Sequence, residues 1–156
     1  MNTAHETLAE VAEQTLEDFA FMFVDDLPQE APEPPQDKEM YRADITFESP
    51  QGQGSVSALA GSGFCDELAH NVLGLEVGEV MLEGASENAL CELLNVICGS
   101  LVAELYGRET VVHLSVPESG VCDAQEWEAV TGSEQALTVV VDGNPLVLVL
   151  NTEERA

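Results

Sequence analysis

The sequence predicts an α+β domain: two long helices packed on a largely antiparallel sheet, with an extra helix at the N-terminus. Three observations carry this. Apolar residues recur at helical spacing in a few long blocks and alternate with polar ones in several short blocks, and the two kinds do not interleave as βαβ units would. Asp142-Gly143-Asn144-Pro145 separates two apolar runs, the signal of a hairpin that closes a sheet. Residues 86–106 hold a run too apolar for anything but a well-buried helix.

Residues 3–23 begin with Thr3-x-x-Glu6, a capping-box pattern, and place Leu8, Val11, Ala12, Leu16, Phe19 and Ala20 at helical spacing. The next stretch, DDLPQEAPEPPQDKE at 25–39, is rich in proline and acid and reads as an extended linker. The domain boundaries expected are therefore a helix over 1–24, a linker over 25–39 and the main fold over 40–156, with the helix docking from outside. Tyr41, Ala43, Ile45 and Phe47 alternate with Arg42, Asp44, Thr46 and Glu48, a strand with one buried face. PQGQG turns the chain into a second strand at about 54–61, and helical patterns follow at about 63–73 and 86–106. TVVHLSV at 110–116 reads as a strand ended by Pro117, and 123–130 as a short helix. Leu137–Val141 and Leu146–Leu150 form the hairpin.

At 156 residues the chain has the length of one domain with a real core. Its charge is extreme. Thirty acidic residues against Lys38, Arg42, Arg108 and Arg155 give a net charge of −26, which repels nucleic-acid phosphates and anionic membranes. No basic n-region and no apolar run of about 18 residues is present, so a cytoplasmic location is expected. Cys65, Cys91, Cys98 and Cys122 show neither a C-x-x-C pair nor zinc spacing and read as reduced packing residues. His70, His113 and the nearby acids have no metal-ligand spacing, and His113 with Ser115 lacks the context of a hydrolase.

The long helix carries one irregularity. Asn88, Glu92, Asn95 and Gly99 fall within a stripe roughly 60° wide, opposite Leu90, Leu93, Leu94, Ile97, Leu101 and Leu105. Such a stripe is either the solvated edge of an amphipathic helix or a site. Gly99 speaks for the second, because a glycine inside a helix costs about 1 kcal/mol relative to alanine and suggests close approach one turn beyond Asn95.

The run ENALCELLNVICGSLVAELYG, with Glu92-x-x-Asn95, Gly99 and Pro117 twenty-two positions after Asn95, resembles the signature of the CheC/CheX/FliY family of chemotaxis phosphatases. The resemblance covers roughly residues 40–151, and a single signature makes it most similar to the CheX branch. Where a second signature would need asparagine, GFCDELAHNVLG has His70, in Glu67-x-x-His70-Asn71. Asn88 departs from the aspartate or serine usual in the family.

The resemblance implies a CheC-like/CheX-like fold and a phosphatase acting on the aspartyl phosphate of a CheY-like response-regulator receiver. By that resemblance Asn95 orients the attacking water, Glu92 binds the receiver's lysine, and Asn88 and Gly99 flank them as partner-binding positions. A carboxamide both donates and accepts, so it can aim a water without taking its proton, and phosphoryl transfer needs chiefly positioning and charge stabilisation. No cofactor or metal of its own is implied; Mg²⁺ comes with the receiver. A homodimer is expected, since CheX proteins pair through their sheets and 146–150 is apolar on both faces. The alternative is a CheX-like module that binds a receiver or a flagellar-switch component without hydrolysis.

Overall fold

The computed structural model describes residues 3–28, 30, 32–36, 39–74 and 83–154. The elements run α1 (Thr3–Ala20), β1 (Val24–Asp26), β2 (Met40–Glu48), β3 (Gly52–Gly61), α2 (Ser62–Leu73), α3 (Ala85–Tyr106), β4 (His113–Leu114), β5 (Glu118–Cys122), α4 (Ala124–Thr131), β6 (Ala136–Val141) and β7 (Asn144–Glu154). The strands form one antiparallel sheet in the order β1-β6-β7-β3-β2-β4, with β5 also on β2. Helices α1, α2 and α3 cover one face, and α4 covers part of the other.

The alternation in β2 works as the sequence implies: Tyr41, Ala43, Ile45 and Phe47 are buried with the three helices. At the far hairpin, Asp142 and Gly143 both take positive φ, 50° and 79°, and join Val141 to its cross-strand partner Asn144, the turn that Asp-Gly favours. Gly54 is obligatory for a different reason, since a Cβ there would collide with the Asn151 carbonyl oxygen and the Phe47 ring.

Four expectations change. First, α1 does not dock from outside a fold that starts near residue 40. Leu8, Val11, Ala12, Leu16 and Ala20 belong to the same core as α2, α3 and the sheet. The helix stops at Ala20 because Phe21 turns left-handed (φ 56°) and lets the Met22 amide donate to the Leu16 carbonyl, at 2.9 Å. Second, the linker region is not free. Residues 24–26 pair with β6 at the sheet edge, and the Pro32 carbonyl accepts a hydrogen bond from the buried Trp127 indole, at 3.0 Å. Third, Pro117 interrupts a strand and does not end it. β4 pairs with Phe47 and Glu48, Ser115 bridges to Thr46, and β5 resumes on Met40–Asp44. Proline costs the ladder one donor, and the polar, glycine-containing ESGVC beyond it reads as loop.

Fourth, the two apolar faces of 146–150 have an explanation inside the chain. Leu146, Leu148 and Leu150 enter the main core, while Val147 packs with Leu59, Cys122 and Trp127 beneath α4. β7 lies between β3 and β6, so it offers no edge to a second copy. Helix α3 is long and apolar enough to span a membrane, yet Leu90, Leu93, Leu94, Ile97, Leu101 and Val102 are buried in the core.

Candidate active site on helix α3

Helix α3 is bounded by two glycines at positive φ, Gly84 (82°) and Gly107 (89°). It is held along the sheet by its apolar side, and Tyr106 at its end packs against Phe47, ring centroids 6.1 Å apart. That burial fixes which side faces out. Asn88 and Glu92 are exposed, and Asn95 and Gly99 are half-buried, in one stripe as the spacing requires. Among the described residues, no hydrogen bond or ion pair engages the side chains of Asn88, Glu92 or Asn95. The carboxamide and the carboxylate therefore project from a rigid mount with their hydrogen-bonding capacity unspent.

The stripe runs between two walls. On one side Cys91 lies beside Ser119 of β5. Burial raises the Cys91 thiol above its ordinary value, the Ser119 hydrogen bond opposes this, and Glu92, Glu87 and Asp44 raise it further. It is therefore protonated and a poor nucleophile near neutrality. Burial alone pushes Cys98 up to about 12, and burial together with Glu126 and Asp123 pushes Cys122 to about 11. On the other side a groove of about 680 Å³ separates α3 from α1, and Gly99 lies in its wall.

Gly99 departs from expectation. A Cβ built there meets nothing within 4 Å, so no close packing inside the chain requires the glycine. The position leaves empty space beside Asn95 instead. Gly99→Ala should consequently stabilise the fold by up to about 1 kcal/mol, a rise of a few degrees in the thermal midpoint. A lower midpoint would reveal an obstruction.

The other polar residues of interest are used structurally. Within Glu67-x-x-His70-Asn71, His70 Nδ1 contacts the Asp66 carbonyl at 2.8 Å, Asn71 donates to the Ala20 carbonyl at 3.0 Å, and Glu67 pairs with Asp142. Burial and then that carboxyl neighbour raise the Glu67 carboxyl. The Ser115 hydroxyl accepts from the Thr46 amide at 2.9 Å, a contact that ties the chain before Pro117 to β2. Arg42 is bound to Asp44 at 3.0 Å and Glu126 at 2.8 Å. Among the described residues, no group of three or more His, Cys, Asp or Glu side chains converges as a metal site would require.

Sequence reasoning located the stripe but missed the groove. Its signal was present: Val96, Gly99, Ser100 and Ala103 put small residues at helical spacing along one flank of α3, where another helix can come close.

No protein-family model matches this chain. No curated protein matches it either. Solved structures do. The chemotaxis protein CheX from Vibrio vulnificus superposes with a TM-score of 0.72 at 12% identity, covering 97% of both chains. CheX from Desulfovibrio desulfuricans gives 0.69 at 13%, over 97% of this chain and 100% of that one. A CheX-CheY-BeF3-Mg complex from Borrelia burgdorferi gives 0.68 at 12%, over 97% and 98%. The chain has the CheX/CheC-like fold, and at that coverage the 18-residue α1 lies within the shared part.

Proposed function

We propose that this chain belongs to the CheC/CheX/FliY family and hydrolyses the aspartyl phosphate of a CheY-like receiver domain in chemotaxis or related two-component signalling. The observation that carries the reading is the Glu92/Asn95 pair, unpartnered among the described residues, at i, i+3 on the outer stripe of α3. It stands on the fold of CheX structures, one of them a complex with CheY.

In this reading Glu92, exposed and anionic, meets the receiver's lysine and sets the approach. Asn95 reaches the phosphoryl group and holds a water in line with the bond to be broken. The Asn95 carbonyl oxygen can accept from the water and its amide can donate to a phosphoryl oxygen. Arg42 is already paired, so no cation on the described part of the stripe is free to neutralise a phosphoryl group. Positive charge must arrive with the substrate, as the receiver's lysine and its Mg²⁺. The protein's share is then orientation on a rigid helix, where a shift of about 1 Å can cost about 100-fold. Asn88 and Gly99 complete the contact surface, and Gly99 supplies the clearance, so Gly99→Ala should slow turnover even as it stabilises the fold. A cytoplasmic location accords with such a substrate.

The assay is loss of phosphate from a panel of phosphorylated CheY-like receivers with and without the protein. Faster loss from at least one receiver is expected; unchanged half-lives for receivers that bind would favour the non-catalytic docking module, the reading to which Asn88 in place of aspartate or serine points.

We also propose a homodimer, now through the β4/β5 edge of the sheet and not through the interior strand β7 that the strand composition suggested. Val121 on β5, Val116 between β4 and β5, and Val111 just before β4 are 66%, 83% and 68% exposed, an apolar border at the edge of the sheet. Light scattering at micromolar concentration should give twice the chain mass, and Val116→Lys with Val121→Lys should halve it. A monomeric wild type would rule this out.

A further inference from the structure

We infer that the groove between α1 and α3 is the docking surface for a basic segment of the receiver, adjoining the catalytic stripe through Gly99. The inference rests on the phosphatase reading of that stripe and adds what the partner's surface must look like. Gly99 belongs to both features: it continues the line of Asn88, Glu92 and Asn95, and it forms part of the groove wall with Val96 and Ala103. Its missing side chain serves no packing within the chain, which makes the open space available to something outside it.

Reach follows from helix geometry. Gly99 lies about 6 Å and Glu104 about 13 Å along the axis from Asn95. A receiver-sized domain of about 100 residues has a radius of gyration of about 13 Å, so a partner seated on Asn95 extends over the groove.

Charge then selects what the partner presents there. The groove is bordered by Glu10 and Asp18 from α1 and Glu104 from α3, and it carries one cation, Arg108, just beyond the C-terminal end of α3. Asp18 accepts a hydrogen bond from Gln14 at 2.7 Å, and among the described residues no cation pairs with any of the three carboxylates. In a chain of net charge −26, a neutral or acidic surface pressed against them would leave the repulsion uncompensated, whereas lysine or arginine side chains relieve it and speed encounter. The half-buried Phe19 in the same groove would take the stem of such a side chain.

The test uses Glu10→Lys/Asp18→Lys in the full chain, with Glu6→Lys/Glu13→Lys as a control. All four positions are exposed on α1 and both pairs change the charge equally, but only the first borders the groove. The probe is whichever CheY-like receiver of the panel, loaded with beryllofluoride and Mg²⁺, the wild type binds most tightly. E10K/D18K should weaken that affinity about tenfold and raise KM to match, with kcat within about twofold, while the control pair shifts affinity by less than about threefold. Equal losses from both pairs would mean a diffuse field and not a docking groove, and no loss from E10K/D18K would remove the groove from the interface. A wild type that binds the loaded receiver without hydrolysing the phosphorylated one would refute the phosphatase reading, yet the affinity comparison would still decide the groove. If no receiver binds the wild type, both fall.

Discussion

Replacing Asn95 with alanine should lower the rate of receiver dephosphorylation by about 100-fold or more while leaving affinity for the beryllofluoride-loaded receiver within a few fold of wild type. In the proposed mechanism the uncharged carboxamide would aim the attacking water, so its contribution would lie in the transition state more than in the bound ground state. Glu92→Ala should behave differently, weakening affinity as well as rate, because the partner proposed for it is a lysine that would be charged throughout the cycle. Neither change should lower stability by more than about 0.5 kcal/mol, since both side chains lack partners within the described chain and alanine is the better helix former. Single-turnover rates at saturating protein, with melting curves on the same samples, separate the possibilities. If Asn95→Ala unfolds the domain, the carboxamide is a structural hydrogen-bonder and the stripe is merely the solvated edge of the helix. If it folds and keeps full activity, the water is oriented by another group.

The stripe that carries both residues was legible in sequence. A polar stripe on a helix with an otherwise apolar surface is a local pattern, and Glu92, Asn95 and Gly99 could be placed on it by counting residues. What could not be counted was the surroundings. Cys91 meets Ser119 because a strand interrupted at Pro117 resumes beside α3, and the groove exists because α1 joins the core from the far end of the chain. Both depend on pairing between segments distant in sequence, which propensity and periodicity do not encode. The same holds for the short β1, whose three residues carry no period of their own and are strand only because β6 offers an edge. Gly99 marks the boundary: its cost to the helix could be read from sequence, but not that the space beside it would stand open.

Trp127→Ala should have the largest effect on stability, about 3–5 kcal/mol, lowering the thermal midpoint by roughly 10 °C. Trp127 is fully buried on the second face of the sheet, where it packs with Leu59, Cys122 and Val147 and donates its indole N–H to the Pro32 carbonyl. Truncation would leave a cavity over that small cluster and release the proline-rich segment that the indole holds against α4. Trp127→Phe separates the two contributions, since it keeps most of the packing but not the donor, and should cost on the order of 1–2 kcal/mol. The effect also bears on assembly. The outward apolar face of β7 is occupied by this cluster, so the variant should be less stable at unchanged oligomeric mass, whereas Val116→Lys with Val121→Lys should change the mass with little loss of stability. A Trp127→Ala protein that became monomeric, from a dimeric wild type, while staying as stable would move the proposed interface from the β4/β5 edge to the face beneath α4.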